Sequence, residues 1–257
     1  YEFRLINQKA MNKNNVRIAV VTGSANGIGQ RFCIALAGAG IAVVGIDITN
    51  QDETSALVEK EGMKFKAIKN DVSDLDEMRT HIDAVVADWG HIDIVVANAG
   101  IYPAGPFDDV SFDDWRSVMR VNVDGVFCTI QSTLPHLRKN GWGRIVVISS
   151  AAIWNGVPLQ TPYTASKAAL IGLVRSLAGE IANDGITVNA ISPGLTETEN
   201  LLNSWPGTLF DWVVEAQSIK RRMLPEDLAS TLLYLIDEKS DFVTGQTINV
   251  DGGFAKH

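Results

Sequence analysis

Short apolar runs alternate along this chain with longer stretches in which apolar residues recur every three or four positions. The runs at 17–22, 41–46, 64–70, 92–97, 143–149, 186–191 and 246–250 read as strands. Several are apolar almost throughout rather than alternating, the mark of a strand buried on both faces. The segments 27–39 and 161–181 read as helices, and Ser73-Asp-Leu-Asp76 and Ser111-Phe-Asp-Asp114 read as capping boxes opening two more. Regular alternation of strand and helix predicts the α/β class: a doubly wound parallel sheet of about seven strands, with right-handed crossovers and helices on both faces. Ligands in such sheets lie at the carboxyl ends of the strands.

Composition adds boundaries to this picture. The 257 residues exceed an average domain, yet no repeat, low-complexity tract or linker divides them, so residues 11–257 are expected to form a single domain. An apolar content of 46% is enough for a core on both sheet faces. A net charge of −8, with no basic stripe, argues against a nucleic-acid partner. No apolar run reaches membrane-spanning length, since 168–182 is interrupted by Arg175 and Glu180, so no membrane partner is expected. Cys33 and Cys128 lack metal or redox spacing and are expected to be buried and reduced, as in a cytoplasmic protein. His81, His91, His136 and His257 show no ligand spacing, and no metal is assigned. Residues 1–10 precede Met11 without a secretory apolar core and read as a leader or tag.

Candidate chemistry sits at the ends of the predicted strands. Gly23, Gly27 and Gly29 lie between the first strand and the first helix, where backbone amides of Asn26, Ile28 and their neighbours approach a pyrophosphate at the positive helix end. Asp47 follows the second strand, where an acid accepts from adenosine ribose hydroxyls. A carboxylate about 4 Å from a 2′-phosphate meets repulsion on the order of 4 kcal/mol per charge pair. No Arg or Lys stands at 24–26 or at Ile48 to offset it, so NAD is favoured over NADP. Tyr163 and Lys167 are four residues apart on one helix face, and a cation beside a phenol lowers its pKa towards the range useful for acid–base catalysis. A serine hydroxyl upstream, from the pair Ser149-Ser150, would hold a carbonyl or alkoxide oxygen. Such groups suit reversible carbonyl–alcohol chemistry beside a hydride carrier.

From about Val16 to the C-terminus the chain resembles the classical short-chain dehydrogenases/reductases, single-domain Rossmann-type enzymes. The likeness rests on the glycine loop, Tyr163/Lys167, Asn70-Asp71-Val72, Asn98-Ala99-Gly100, Asn122 in Val-Asn-Val, and Pro193-Gly194. It implies a Ser–Tyr–Lys–Asn tetrad of Ser150, Tyr163, Lys167 and Asn122, with Asn122 holding a water relay and Lys167 reaching the nicotinamide ribose. It further implies adenine contacts at Asp71 and Val72, a cofactor border at Asn98–Gly100, and a carboxamide contact from Thr196 or Thr198. Homotetramers or homodimers are usual in the family.

For substrate, Tyr102, Ala152, Trp154, Leu195, Leu202 and Trp205 are the candidate contacts, with Ser150 and Tyr163 at the reacting carbon. Residues 195–222 read as an apolar lid, although some of its aromatics would pack inward on the fold. Gly100-Ile-Tyr-Pro and Asn140-Gly-Trp-Gly are similar to the NAD-dependent 1-phenylethanol dehydrogenase branch. The expectation is interconversion of a small apolar or aromatic secondary alcohol and its ketone. NADP-dependent 3-oxoacyl reduction and sugar, polyol or pyridoxal oxidation are the alternatives, and a non-catalytic NAD-binding scaffold is disfavoured by the complete tetrad.

Overall fold

The computed structural model describes residues 16–204 and 207–256; the expected leader at 1–10 and Trp205 lie outside them. The chain begins with β1 (Ile18–Thr22), α1 (Gly27–Gly38), β2 (Ala42–Asp47), α2 (Asp52–Lys60) and β3 (Phe65–Lys69). It continues through α3 (Leu75–Trp89), β4 (Ile94–Ala97), α4 (Phe112–Met119), α5 (Gly125–Asn140) and β5 (Gly143–Ile148). After the four-residue α6 (Ala152–Asn155) come α7 (Thr161–Ile181) and β6 (Ile186–Pro193). The last third holds α8 (Glu199–Ser204), α9 (Gly207–Ala216), α10 (Glu226–Ile236) and β7 (Thr247–Val250).

The seven strands form one parallel sheet in the order β3-β2-β1-β4-β5-β6-β7. Helices cover both faces. Val20, Val44, Val95, Ile145 and Val188 face a layer built from α3, α5 and α7. Val21, Val43, Val96, Val146 and Ile191 face α1 and α10. Every residue of β1, β4, β5 and β6 is buried, which suits the apolar runs of β1 and β4 and takes Arg144 of β5 and Asn189 of β6 into the interior as well. The doubly wound single-domain fold expected from the pattern is the fold observed.

Of the two expected capping boxes, one forms and one does not. Ser111 opens α4 in a full capping box with Asp114, as its spacing predicts. Ser73 does not cap α3; Asp74 does, accepting from the Glu77 amide. The reason is Asp71, whose carboxylate takes both the amide and the hydroxyl of Ser73 at 2.9 and 2.7 Å. Both cysteines are buried and free. Among the described residues no helix is long and apolar enough to cross a membrane.

Sheet order reverses between β1 and β4, and the crevice opens at that point. The turn after β1 depends on close packing there. Gly23 has φ of 66°, and a Cβ on it would lie 2.8 Å from Ala99 Cα. A Cβ on Gly29 would collide with the Gly23 carbonyl oxygen and lie 2.6 Å from Asn98 Nδ2. Gly29→Ala is therefore expected to cost about 2–3 kcal/mol. Gly38→Ala, in the last turn of α1 with only an ordinary contact 3.6 Å from Glu61 Oε2, should gain about 0.5–1 kcal/mol. Thermal unfolding of the two variants checks this, and equal melting temperatures would contradict the packing account.

Candidate active site

A single cleft of about 730 Å³ runs along the carboxyl edge of the sheet. At one end it is bordered by the glycine loop, and α1 starts there without a side-chain cap from Asn26. The loop is held from behind. Thr54 Oγ1 donates to the Ser24 and Ala25 carbonyls at 2.9 and 3.2 Å, and Gln30 Nε2 also donates to Ala25 at 3.2 Å. The buried Ser24 hydroxyl donates to Gln51, which in turn bonds the Ile68 carbonyl. With those carbonyls taken up on the protein side, the first-turn amides of α1 face the cleft without a side-chain acceptor. That is the cradle an anionic diphosphate needs.

Asp47 ends β2 beside this loop. Its carboxylate accepts from the Ala25 amide at 3.0 Å and from the Thr49 amide and hydroxyl at 2.9 and 2.8 Å. Ile48, Asp71 and Val72 border the same end, and Arg120 Nη1 is held to Asp71 Oδ2 at 2.8 Å. The Arg120 guanidinium and the Ser73 bonds hold the Asp71 carboxyl below the usual range, against the opposing effect of its partial burial. Asn98, Ala99 and Gly100 follow β4, with Pro193, Gly194, Thr196 and Thr198 on the far wall. Gly100 is needed for space: a Cβ there would lie 3.1 Å from Asn122 Oδ1 and 3.3 Å from Lys167 Nζ.

Ser149 and Ser150 follow β5 and both border the cleft. Ser149 Oγ donates to the Lys167 carbonyl at 2.9 Å and fixes α7, whereas Ser150 hydrogen-bonds with the Tyr163 phenol. Ser150 Oγ also accepts from the Ala152 amide at 3.1 Å. Lys167 is buried, and its ammonium donates to the Ile148 carbonyl at 2.8 Å while standing 5.9 Å from the centre of the Tyr163 ring. Burial brings its pKa down to about 8. Burial likewise pushes the Tyr163 phenol up, with a smaller push from Tyr102, against the lowering hydrogen bond from Ser150. The depressed phenol expected from the Tyr–Lys spacing is thus not found in this cleft; the ammonium is turned to a carbonyl, and burial dominates.

Asn122 lies in a π-helical turn, Arg120–Asp124, that joins α4 to α5. It is fully buried and does not border the cleft. Its Oδ1 accepts from the Ile101 amide at 2.8 Å, and its Nδ2 donates to the Ile101 carbonyl and to Ser166 Oγ, both at 2.9 Å. Ser166 donates in turn to the Tyr163 carbonyl at 2.7 Å. The side chain expected to hold a relay water binds the Gly100–Tyr102 loop to α7. Ser166 is part of that brace.

The substrate end is only partly as expected. Tyr102, Ala152 and Leu195 line the cleft, with the Tyr102 ring edge-on to Tyr163 at 6.4 Å. Trp154 and Leu202 do not. The short α6 turns Ala152 and Asn155, three apart, to the cleft and Trp154 away from it, while α8 presents Leu201 and leaves Leu202 45% exposed. Over the lid region Leu209, Trp212 and Val213 line the cleft, and Phe210 packs inward beneath the Arg222 guanidinium. Val157, Pro158, Gln160 and Phe254 also line it. Sequence offered no periodicity for these loop residues. His91 and His136 pair with Asp93 and Asp83 at 3.1 and 2.9 Å, away from the cleft.

The profile of the family described as Enoyl-(Acyl carrier protein) reductase matches residues 23–255. The chain belongs to the classical short-chain dehydrogenases/reductases. It is 35% identical to the 3-oxoacyl-[acyl-carrier-protein] reductase FabG of Thermotoga maritima, over 92% of this chain and 97% of that protein. It is 37% identical to the (2S)-[(R)-hydroxy(phenyl)methyl]succinyl-CoA dehydrogenase subunit BbsD of Thauera aromatica, over 92% of this chain and 96% of that one. Among solved structures, the short chain dehydrogenase from Mycobacterium paratuberculosis bound to NAD is 31% identical with a TM-score of 0.84, covering 93% of this chain and 97% of its own. This short-chain dehydrogenase/reductase is an oxidoreductase of the same architecture as these relatives.

Lys167, buried in its site, should titrate near pH 8 in the free protein. NMR of ¹³Cε-labelled lysine, with the resonance assigned by its loss in Lys167→Met, reads this directly. Titration of that resonance above pH 10 would contradict the burial account.

Proposed function

We propose that this protein is an NAD(H)-dependent oxidoreductase interconverting a small, mainly apolar or aromatic secondary alcohol and its ketone. The observation that carries the reading is a single cleft bordered at one end by the glycine loop and Asp47 and at the other by Ser150, Tyr163 and Lys167. In this reading Gly23 leaves room for the diphosphate and the amides of Asn26–Gly29 hold it, Asp47 holds the adenosine ribose, and Asp71 and Val72 the adenine. Thr196 and Thr198, near the nicotinamide end, hold its carboxamide. NAD(H), when bound, accepts hydride in oxidation and donates it in reduction.

The chain's own groups manage the oxygen. In reduction the Tyr163 hydroxyl gives its proton to the carbonyl oxygen as that oxygen gains charge, and Ser150 donates a hydrogen bond to the same oxygen. In oxidation the Tyr163 phenolate takes the hydroxyl proton, so a phenol raised by burial favours oxidation at alkaline pH and reduction at lower pH. Lys167 stands one turn along α7 as the nearest cation to the phenol, and Asn122 fixes the loop beside both through Ile101.

NAD rather than NADP is supported by charge. Among the described residues, the basic side chains bordering the cleft are Lys167 and Arg120. Arg120 is paired with Asp71, which leaves Asp47 without a cation to offset a 2′-phosphate. The relatives named as 3-oxoacyl reductases keep the alternative of a larger acyl substrate in view, but the lining by Tyr102, Leu195, Leu209, Trp212 and Val213 favours a compact apolar one. A cytoplasmic homotetramer or homodimer fits this reading, and the exposed Phe127 on α5 offers apolar surface for it.

The test is turnover of 1-phenylethanol and aliphatic secondary alcohols with NAD and with NADP, by the unmodified protein and by Tyr163→Phe. Turnover should favour NAD by roughly 10²–10³, and Tyr163→Phe should lose at least ~10²–10⁴ of kcat while still binding NAD. Full turnover by Tyr163→Phe would overturn the mechanism, and a preference for NADP would overturn the role of Asp47.

A further inference from the structure

We propose that Gln160 sets substrate specificity by hydrogen-bonding a neutral polar group that the substrate carries close to its reacting carbon. This rests on the alcohol–ketone reading and narrows its substrate class. Gln160 immediately precedes α7, three residues before Tyr163, and residues at that spacing are neighbours on a helix surface. It borders the same cleft as Ser150, Tyr163 and Lys167. Its backbone carbonyl accepts from the Thr164 amide at 2.8 Å, while its carboxamide has no hydrogen-bonding partner among the described residues.

The loop before it is built to aim it inward. Leu159 has φ of 66°, the sole positive value outside glycine among the described residues. A leucine rarely adopts that backbone, and such strain persists where the surroundings impose it, often at ligand sites. Here the Gly105 amide donates to the Leu159 carbonyl at 2.9 Å and holds the turn. The result is that Val157, Pro158 and Gln160 line the cleft, while Leu159 is left half exposed.

The chemistry of the ligand group follows from what faces it. A carboxamide both donates and accepts, and so suits a carbonyl, ester, hydroxyl or amide. For a carboxylate or phosphate, the guanidinium groups at and beyond the cleft are already paired among the described residues. Lys167 is bonded to the Ile148 carbonyl and Arg120 to Asp71. Beyond the lid, Arg221 is paired with Asp227, and Arg222 with Glu197 and Asp211. An anion entering this cleft would be desolvated with Lys167, committed to the Ile148 carbonyl and standing beside Tyr163, as its one cation without a carboxylate partner among the described cleft-lining residues. The favoured substrate is therefore a neutral ketone or alcohol with a second oxygen or an amide a few bonds away, such as a 3-keto ester, in preference to a keto acid.

The test compares ethyl acetoacetate, acetoacetate and 2-heptanone, whose chain matches the ester in length but lacks the second oxygen function. NADH-dependent kcat/KM is measured for the unmodified protein, Gln160→Leu and Gln160→Asn. Gln160→Leu should lose roughly tenfold on the ester, mainly in KM, and stay within about twofold on 2-heptanone. Gln160→Asn should recover part of the loss, and acetoacetate should be the poorest substrate for the unmodified protein. An equal loss on ester and ketone, or no loss on either, overturns the proposal, and retained 2-heptanone turnover shows that each variant is folded. If the unmodified protein reduces neither neutral ketone, the alcohol–ketone reading itself falls, and this inference with it.

Discussion

The cleft depends on how the ends of β1 and β4 are joined where the sheet order reverses. Thr22 Oγ1 accepts from the Asn98 and Ala99 amides at 3.0 and 3.1 Å, and Asn98 Nδ2 returns bonds to the Thr22 and Gly23 carbonyls at 3.0 and 3.1 Å. Four hydrogen bonds thereby close the seam between two strands whose crossovers leave in opposite directions. The closure brings Gly23 so near Ala99 that no side chain fits between them. Because the seam is shut below, the loops above it must diverge, and the space between them becomes the binding cleft. Asn98 is thus a strut behind the glycine loop as well as part of its border.

Electrostatics in the cleft is governed by burial rather than by the pairing of Tyr163 with Lys167. Both side chains sit deep, and burial opposes the charged form of each: the phenol rises and the ammonium falls. The order of the two groups is thereby reversed from that in water, and the ammonium gives up its proton more readily than the phenol. The π-helical turn at Asn122 supports this arrangement mechanically. A wider turn releases backbone and side-chain geometry that a regular helix would not allow, and such turns recur at functional sites. Through Ile101 and Ser166, that one side chain ties the loop after β4 to α7, which carries Tyr163 and Lys167.

Much of this was legible in the chain because regular elements leave periodic signatures. The buried runs of β4, β5 and β6, the length of α7 and the Ser111 capping box all follow from local patterning, and the glycine loop from the backbone it must adopt. What escaped was set by tertiary contact. Ser73 looks like a cap until Asp71 takes its hydroxyl. Trp154 looks like a pocket wall until the single turn of α6 rotates it away. Phe210 and Trp212 are two residues apart, yet one packs inward and the other lines the cleft. Gln160, Pro158 and Phe254 reach the cleft from loops and the C-terminal turn, where sequence has no period to reveal orientation.

The central claim is that hydride and proton reach the substrate from different sources, the proton by way of Tyr163. The most direct measurement is the fate of label when the protein reduces an apolar prochiral ketone with NADH deuterated on both hydrogens at C4, in ordinary water. The account predicts one deuterium on the carbinol carbon of the alcohol and none on its oxygen, with a single enantiomer formed. An alcohol carrying no deuterium at that carbon would contradict it.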